Sequence, residues 1–486
     1  MSGTAISKVL IVGRDAPLWL SVLALHHALS PTGIAIEVVE LPSLVRHQDL
    51  YTALPALEAF HSRLGLDEND VLKATRGTFA MGQMFEGFAA GKPFFHAYGS
   101  HGTPIADLPF LPYTTRAHRQ GLSVAFEDFS LTAAAAKQGR LVLPDDETGP
   151  FARTDYGYHL PAVAYGDILK RLAARRVLVR TARHAEALLN ADGDIAAIDI
   201  GGEKITADLF VDATGVQSLL LRKGLKAPFE SWRQWFPGDR ILTAAGPALK
   251  SIPPFAKISA VDGGCTGLFA AQDATRVVHV FDSTETSDAA AAEALGFGDA
   301  VVAPLEPGRS TAWVRNCIGI GETACTFDPL DAVGLQAVQL GLAHLVTLFP
   351  FDRVRQPERA EYNRLMTMAS ERLRDFQMLH HVLCRRTSPF WQKARSAPPP
   401  DTLLHRIEAF LSAGVLPLYD EESFTGDSWN AVLLGHGLMP EAYDPRADLI
   451  PDTMLKSQFQ QMLAFIREQV GKAYDHDTYL MAFCAA

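Results

Sequence analysis

Apolar and polar positions fall into blocks along the first forty residues. Lys8 to Val12 is a short apolar run of strand length. Leu18 to Leu29 has helical length and character, and Ile34 to Val39 is a second strand that ends at Glu40. Strand, helix, strand in that order predicts a βαβ unit, and a parallel pair with a crossover helix implies a right-handed doubly wound sheet. Helical patterning returns from Thr52 to Leu64. From Thr78 to Pro112 the chain is polar, aromatic and rich in Gly and Pro, which predicts loops and sheet edges. Asp167 to Arg175 is amphipathic and Val177 to Thr181 is β-branched, a helix followed by a strand. Ala196 to Ile200 and Lys204 to Ala207 flank Gly201-Gly202 as a hairpin. Leu209-Phe210-Val211 predicts a strand ending in Asp212-Ala213-Thr214-Gly215. Short alternating strands fill 240–315. Long helical patterns run from Leu335 to the C-terminus, interrupted at Ala397-Pro398-Pro399-Pro400. The expected fold class is α/β, a doubly wound sheet with a second, mostly antiparallel sheet and a helical C-terminal region.

Hydrophobic residues make up 48% of the 486 and charged residues 20%, a balance that fills a large core. Acidic residues outnumber basic ones, 55 to 44, for a formal charge of −11. No basic stripe suits a phosphate backbone, so nucleic acid is not an expected partner. Cys265, Cys317, Cys325, Cys384 and Cys484 are widely spaced without a C-x-x-C, which argues against a disulfide framework or a zinc site and for a reducing compartment. The opening MSGTAISKVLIVG enters a strand without a signal-peptide pattern. No apolar run reaches the roughly 18 residues of a membrane span. The expectation is a soluble cytoplasmic protein with no membrane partner. His380-His381 and His26-His27 are adjacent pairs whose side chains leave a helix on different faces, and no metal site is expected. Asp145-Asp146-Glu147 reads as a solvated loop.

Three pieces along the chain point to a dinucleotide. Glu40 closes the second strand 27 residues after Gly13. A later strand ends in Asp212-Ala213-Thr214-Gly215. Asn316-Cys317-Ile318-Gly319-Ile320-Gly321 is followed by Pro329-Leu330-Asp331-Ala332-Val333-Gly334 and a helix. Dinucleotide flavoproteins use a first turn for pyrophosphate, an acid for ribose and a late helix N-terminus facing the flavin.

Longer stretches carry a resemblance. Residues 192–221, DGDIAAIDIGGEKITADLFVDATGVQSLLL, are followed by Glu230-Ser231-Trp232-Arg233-Gln234-Trp235-Phe236-Pro237-Gly238-Asp239-Arg240. Glu306-Pro307-Gly308-Arg309 precedes Trp313-Val314-Arg315-Asn316-Cys317. Tyr362-Asn363-Arg364, Arg374-Asp375-Phe376, Leu379-His380 and Arg385-Arg386-Thr387-Ser388-Pro389-Phe390-Trp391 follow. Over nearly its whole length the chain resembles the flavin-dependent tryptophan halogenase family. The resemblance implies a flavoprotein-monooxygenase-like box, an FAD-binding-like core with an interleaved substrate-side sheet over 1–350 and a helical region over 351–486. It implies FAD as cofactor, with Gly13, Arg14, Trp19, Glu40, Asp212, Gly215, Gly321 and Gly334 as the flavin-side positions. A halide would lie near Gly334, where a helix N-terminus favours anions. In the family, reduced FAD from a separate flavin reductase, oxygen and halide yield hypohalous acid. A lysine and a nearby glutamate then direct it onto an indole or another electron-rich aromatic. A small aromatic ligand is the implied partner, along with a homo-oligomer or a hetero-oligomer with a related halogenase.

The reactive positions of this chain depart from that pattern. The phosphate turn, close to GGGTAGW in the family, reads Gly13-Arg14-Asp15-Ala16-Pro17-Leu18-Trp19. Asp15 and Leu18 replace glycines that permit close backbone approach and helix packing. At about 4 Å, like charges repel by roughly 4 kcal/mol at an effective dielectric of about 20, so Asp15 opposes a phosphate. The second flavin loop aligns with Gln48-Asp49-Leu50-Tyr51, without a glycine, and the Tyr51 ring would block it. The lysine of a Thr-Phe-Lys-x-Gly pattern is Ala80, in Thr78-Phe79-Ala80-Met81-Gly82; Lys73 and Lys92 lie too far along the chain to replace it. Cys265-Thr266-Gly267-Leu268-Phe269-Ala270 stands where a W-x-W-x-I-P motif is expected, and Trp232 and Trp235 belong to an earlier, packing segment. The glutamate aligns with Asp331, the remaining catalytic candidate. These departures favour a family protein that has lost halogenation and serves as a non-catalytic or binding member. The alternative is an active FADH2-dependent halogenase or monooxygenase with unusual flavin loops.

Overall fold

β1 (Lys8–Gly13) pairs in parallel with β2 (Ala35–Glu40) on one side and with Leu209–Ala213 on the other. Residues 5–88, 93–122, 124–144 and 153–485 are described in the computed structural model; Asp145-Asp146-Glu147 and Lys92 lie outside them. The chain divides into two compact units. Unit 1 is Met1–Gly77, Leu160–Arg233 and Pro304–Leu373; unit 2 is Thr78–His159, Gln234–Ala303 and Arg374–Ala486.

In unit 1 the six-stranded sheet runs Trp313–Val314, Cys317–Gly319, Leu209–Ala213, β1, β2, Leu178–Thr181. Only Trp313–Val314 is antiparallel to its neighbour. Val9, Leu10, Ile11 and Val12 are wholly buried, because both faces of the sheet are covered: Leu10 and Val12 pack against Ile195, Ile198 and Ile205 of the small antiparallel sheet, and the helix Asp15–Leu29 packs on β1. α1 (Asp15–Leu29) is the crossover between β1 and β2 and starts earlier than its apolar pattern, since Pro17 is tolerated in a first turn. The helical reading from Thr52 is corrected. Leu50–Ala53 is a strand, β3, and the helix is Ala56–Leu64. Pro55 disfavours helical backbone at Leu54, so the helix cannot begin upstream of it. Ile195–Asp199 and Lys204–Ile205 form the expected antiparallel pair.

Unit 2 holds the mostly antiparallel sheet. Its strands Arg240–Gly246, Thr275–Phe281, Gly264–Ala270, Ala256–Val261, Gly82–Glu86 and Phe94–Ala97 are consecutive neighbours. Ala256–Val261 and Gly82–Glu86 are the parallel pair. Two of these strands fall within 78–112, where loops and edges were expected. Gly82–Glu86 is interior to the sheet, and Phe85, Phe94 and Phe95 are buried. Their aromatic residues supply core contacts, and the glycines and prolines separate short strands instead of dissolving them. The C-terminal part is helical: Asp401–Ala413, Gly426–Gly435, Asp452–Lys472 and His476–Ala485. All five cysteines are free thiols, four of them buried. Among the described residues no helix is long and apolar enough to cross a membrane.

Candidate functional site

The first turn of α1 follows β1 in unit 1. Gly13 is required there: a Cβ would lie 2.5 Å from the Ala213 carbonyl oxygen, so the close pairing of β1 with its neighbour forbids a side chain. Asp15 adopts φ +57°, the left-handed backbone that suits glycine, although the residue is an aspartate. The chain has kept the backbone of a glycine turn and changed the side chain. The Asp15 carboxylate accepts hydrogen bonds from Ser43 Oγ at 2.5 Å and the Leu44 amide at 3.1 Å. The half-buried Tyr51 phenol lies near the charges of Asp15 and Glu322. Burial, with the charges of Asp15 and Glu322, holds that phenol protonated well above the usual tyrosine range. Tyr51 packs edge-on against Tyr165, whose hydroxyl is 2.6 Å from His61 Nε2.

The remaining flavin-side candidates of unit 1 are engaged within the protein. Both Glu40 oxygens bind Lys170 Nζ, at 2.6 and 2.8 Å, and that ammonium lies over the buried Trp19 ring. Arg14 is buried and donates to Gln217 Oε1 at 3.1 Å; desolvation lowers its pKa, against the pull of Asp15 and Asp212. Asp212 Oδ1 accepts from the Thr214 amide and hydroxyl, and Oδ2 from the Leu220 and Leu221 amides. It is a wholly buried staple for the turn containing Gly215. Glu322, beside Gly321, was not singled out by sequence. Its Oε2 would be 3.4 Å from a Cβ on Gly215. It is exposed to solvent, and partial desolvation by the surrounding segments, then Asp15 and Asp49, raise its carboxyl to about 7. Ser43, Lys170 and Glu322 carried no motif; their roles come from long-range packing.

Asp331 is buried in the turn before the helix Gly334–Thr347. Asp328 Oδ1 accepts from the Leu330 amide at 3.1 Å, and burial raises its carboxyl to about 6. Nothing lies within 4 Å of a Cβ built on Gly334, so the helix start has open space at that residue.

In unit 2, Ala80 pairs with Gly157 and is 3% exposed. Its neighbour Phe79 is ringed by Tyr156, Tyr158, Tyr479 and Phe483. Gly264–Ala270, where W-x-W-x-I-P was expected, is a regular sheet strand. An aromatic box that sequence did not flag lies around His96. Phe376 is 5.3 Å away and stacks on Phe424 at 3.6 Å, and Trp429 meets Phe376 edge-on at 5.0 Å. Burial pulls the His96 imidazole down to about 3. His380 Nδ1 lies 3.1 Å from His436 Nε2. Trp232 is wholly buried in unit 1, and in unit 2 Trp235 Nε1 donates to the Pro398 carbonyl at 2.9 Å.

An FAD pyrophosphate needs first-turn amides, close backbone approach and a neutral or positive surround. As placed, the Asp15 carboxylate reaches to Ser43 and Leu44 across the approach, and Asp15 and Asp49 bring negative charge beside Glu322. These residues do not fit the group.

The parallel sheet, the crossover helix and the turn after β1 define a flavoprotein-like α/β protein. Residues 8–452 match the family model for tryptophan halogenase, and the chain belongs to that family. It is 26% identical over 534 residues to tryptophan 7-halogenase KtzQ of Kutzneria sp. (strain 744), covering 99% of each chain. BrvH, a flavin-dependent halogenase from Brevundimonas sp. BAL3, superposes with a TM-score of 0.93 at 29% identity, over 98% of this chain and 99% of that one. Xcc4156, a flavin-dependent halogenase from Xanthomonas campestris, gives 0.93 at 27% identity over 99% of both.

Proposed function

We propose that this chain is a tryptophan-halogenase-family protein that has lost halogenation chemistry and acts as a non-catalytic or binding member. One observation carries the reading: the position aligned with the family's lysine is Ala80, a buried methyl without an ammonium. Hypohalous acid has to be delivered to one carbon of a ring and activated there. Losing a single positioned donor typically lowers an enzyme's rate by about 10²–10³-fold. The chain's partner on this reading is a small aromatic ligand, or another halogenase chain in a homo- or hetero-oligomer.

The second reading is an active FADH2-dependent halogenase or monooxygenase on an indole or other electron-rich aromatic, fed by a flavin reductase. The match of residues 8–452 to the family model supports it.

The test supplies flavin reductase, FAD, NADH, oxygen, and chloride or bromide, with tryptophan or indole. Mass spectrometry should find no halogenated product above the protein-free control. A regioselectively halogenated product from the unmodified chain would replace the first reading with the second.

A further inference from the structure

We infer that the outer edge of the parallel sheet in unit 1 docks an acidic, extended segment of a partner protein. That segment adds to the strand Leu178–Thr181 and sets its carboxylates on arginines at the strand's two ends. Such docking is independent of whether the chain halogenates.

The edge itself is open. Leu178–Thr181 ends its sheet, and β2 is its one strand neighbour among the described residues. The Ala182 amide donates to the Glu40 carbonyl at 3.0 Å. Backbone groups alternate sides along a parallel strand, so Arg180 and Leu178 also turn their N–H and C=O toward β2. Val179 and Thr181 turn theirs outward. A row of outward backbone groups is a template for another strand. Leu178 is 59% exposed and offers that strand an apolar neighbour.

Charge defines the kind of strand. The whole chain carries −11, yet residues 168–185 hold six Lys and Arg and no Asp or Glu. Lys170 is held by Glu40, and Arg180 by Glu37 and Glu203. Arg171, Arg175, Arg176 and Arg183 are exposed and make no ion pair or hydrogen bond among the described residues. Arg175 and Arg176 lie in the turn that leads from the helix Ala162–Ala173 into the strand, and Arg183 follows the strand's end by two residues. From Arg176 to Arg183 is seven residues, about 23 Å of extended chain. An added strand with carboxylates at both ends spans the same distance.

Edges are also charged to prevent pairing. A guard of that kind sets its free charge within the strand. Here the one charge within the strand, Arg180, is neutralised by Glu37 and Glu203, and the free cations stand at the ends, where they flank an incoming strand. A phosphate backbone would meet the cations but leave the outward N–H and C=O groups unused, and the acidic remainder of the chain would repel it. A second copy paired edge to edge would set arginine against arginine.

The probe is a peptide of alternating Val and Thr with two Glu at each end, titrated against the full chain by fluorescence anisotropy. At low salt a Kd of about 10–100 µM is expected, weakening as salt rises. Arg175→Ser/Arg176→Ser/Arg183→Ser should weaken binding at least about tenfold, with thermal melts to check that the variant is folded. Methylating alternate amides of the peptide should weaken binding to a similar degree, and bound peptide should slow hydrogen exchange at Val179 and Thr181. These two measurements use the unmodified chain and decide the matter even if the variant does not fold. No binding up to about 1 mM would overturn docking. Equal binding of the methylated peptide, equal binding by the folded triple variant, unchanged exchange at Val179 and Thr181, or tighter binding of a DNA duplex would each overturn it as well. A dimer that sediments from the unmodified chain and is lost in the triple variant would assign the edge to a second copy, and overturn it too.

Discussion

Lys170 Nζ holds both carboxylate oxygens of Glu40, at 2.6 and 2.8 Å, across 130 positions of sequence. The pair ties the helix Ala162–Ala173 to the end of β2, and the same ammonium covers the Trp19 ring at 5.6 Å. One side chain therefore links the candidate ribose acid to the crossover helix α1.

Lys170→Met should destabilise unit 1 modestly. The Lys170 side chain is 44% exposed, so solvent screens the ion pair and the whole loss, cation–π contact included, is about 1 kcal/mol. Urea unfolding of Lys170→Met, Glu40→Gln and the double variant should show the two losses to be less than additive. Full additivity would mean that the pair contributes nothing.

Restoring the lysine should not restore chemistry. Ala80→Lys, given reductase, FAD, chloride and tryptophan, should still yield no chlorotryptophan by mass spectrometry. The flavin seat is altered independently, at Asp15 and Tyr51. Measurable product would place the entire loss at residue 80.

Gly13 and Gly334, both fingerprint positions, should respond in opposite ways to alanine. At Gly13 the new methyl would meet the Ala213 carbonyl oxygen at 2.5 Å in a buried parallel sheet. A loss above about 4 kcal/mol, or failure to express, is expected. At Gly334 nothing lies within 4 Å and the residue begins a helix, so alanine should be neutral or stabilise by up to about 1 kcal/mol. Thermal melts of the two variants decide this, and similar behaviour would contradict it.

Acid should unfold unit 2 through its histidines. Burial lowers His96, His101 and His436 to about 3, and His159 and His381 to about 4. The unfolded chain binds protons near 6.5 that the folded one refuses. Each group's stability is therefore complete above that value and lost as pH falls toward its folded value, at about 1.4 kcal/mol per pH unit. His96→Phe should make the decline between pH 6.5 and 4 shallower by roughly one such slope. A stability curve flat from pH 7 to 5 would refute the prediction.

Glu322 acts with the opposite sign. Its carboxyl is raised to about 7, so between the unfolded value of 4.5 and that pH the folded state keeps a proton the unfolded chain releases. Its contribution falls as pH rises through that window. The stability of Glu322→Gln relative to the parent should therefore grow from pH 5 to 7 and level off above, in urea midpoints taken at each pH. A difference independent of pH would show that desolvation and its acidic neighbours do not raise this carboxyl.

β1 and the strand Leu209–Ala213 were legible because strands buried on both faces read as short apolar runs, and β2 was legible from its β-branched residues although Glu37 interrupts it. The replaced lysine, the altered phosphate turn and the lost tryptophan motif were legible for a different reason. They are residue identities at countable distances from a recognisable strand, and Ala80 lacks an ammonium in any fold. Phe94–Ala97 does lie at the sheet edge, whereas the strand Leu50–Ala53 and the interior strand Gly82–Glu86 were misread, because runs of four or five residues show no period that separates strand from loop or helix end.

The partnerships inside the site were settled only by packing. That Lys170 holds Glu40, that Asp15 reaches Ser43, and that Glu322 shares its surroundings with Asp15 and Asp49 depend on how distant segments converge in unit 1. Side-chain periodicity records which face of an element is buried. It carries no record of which polar group, hundreds of residues away, arrives opposite, because that depends on where the intervening chain places each segment in space.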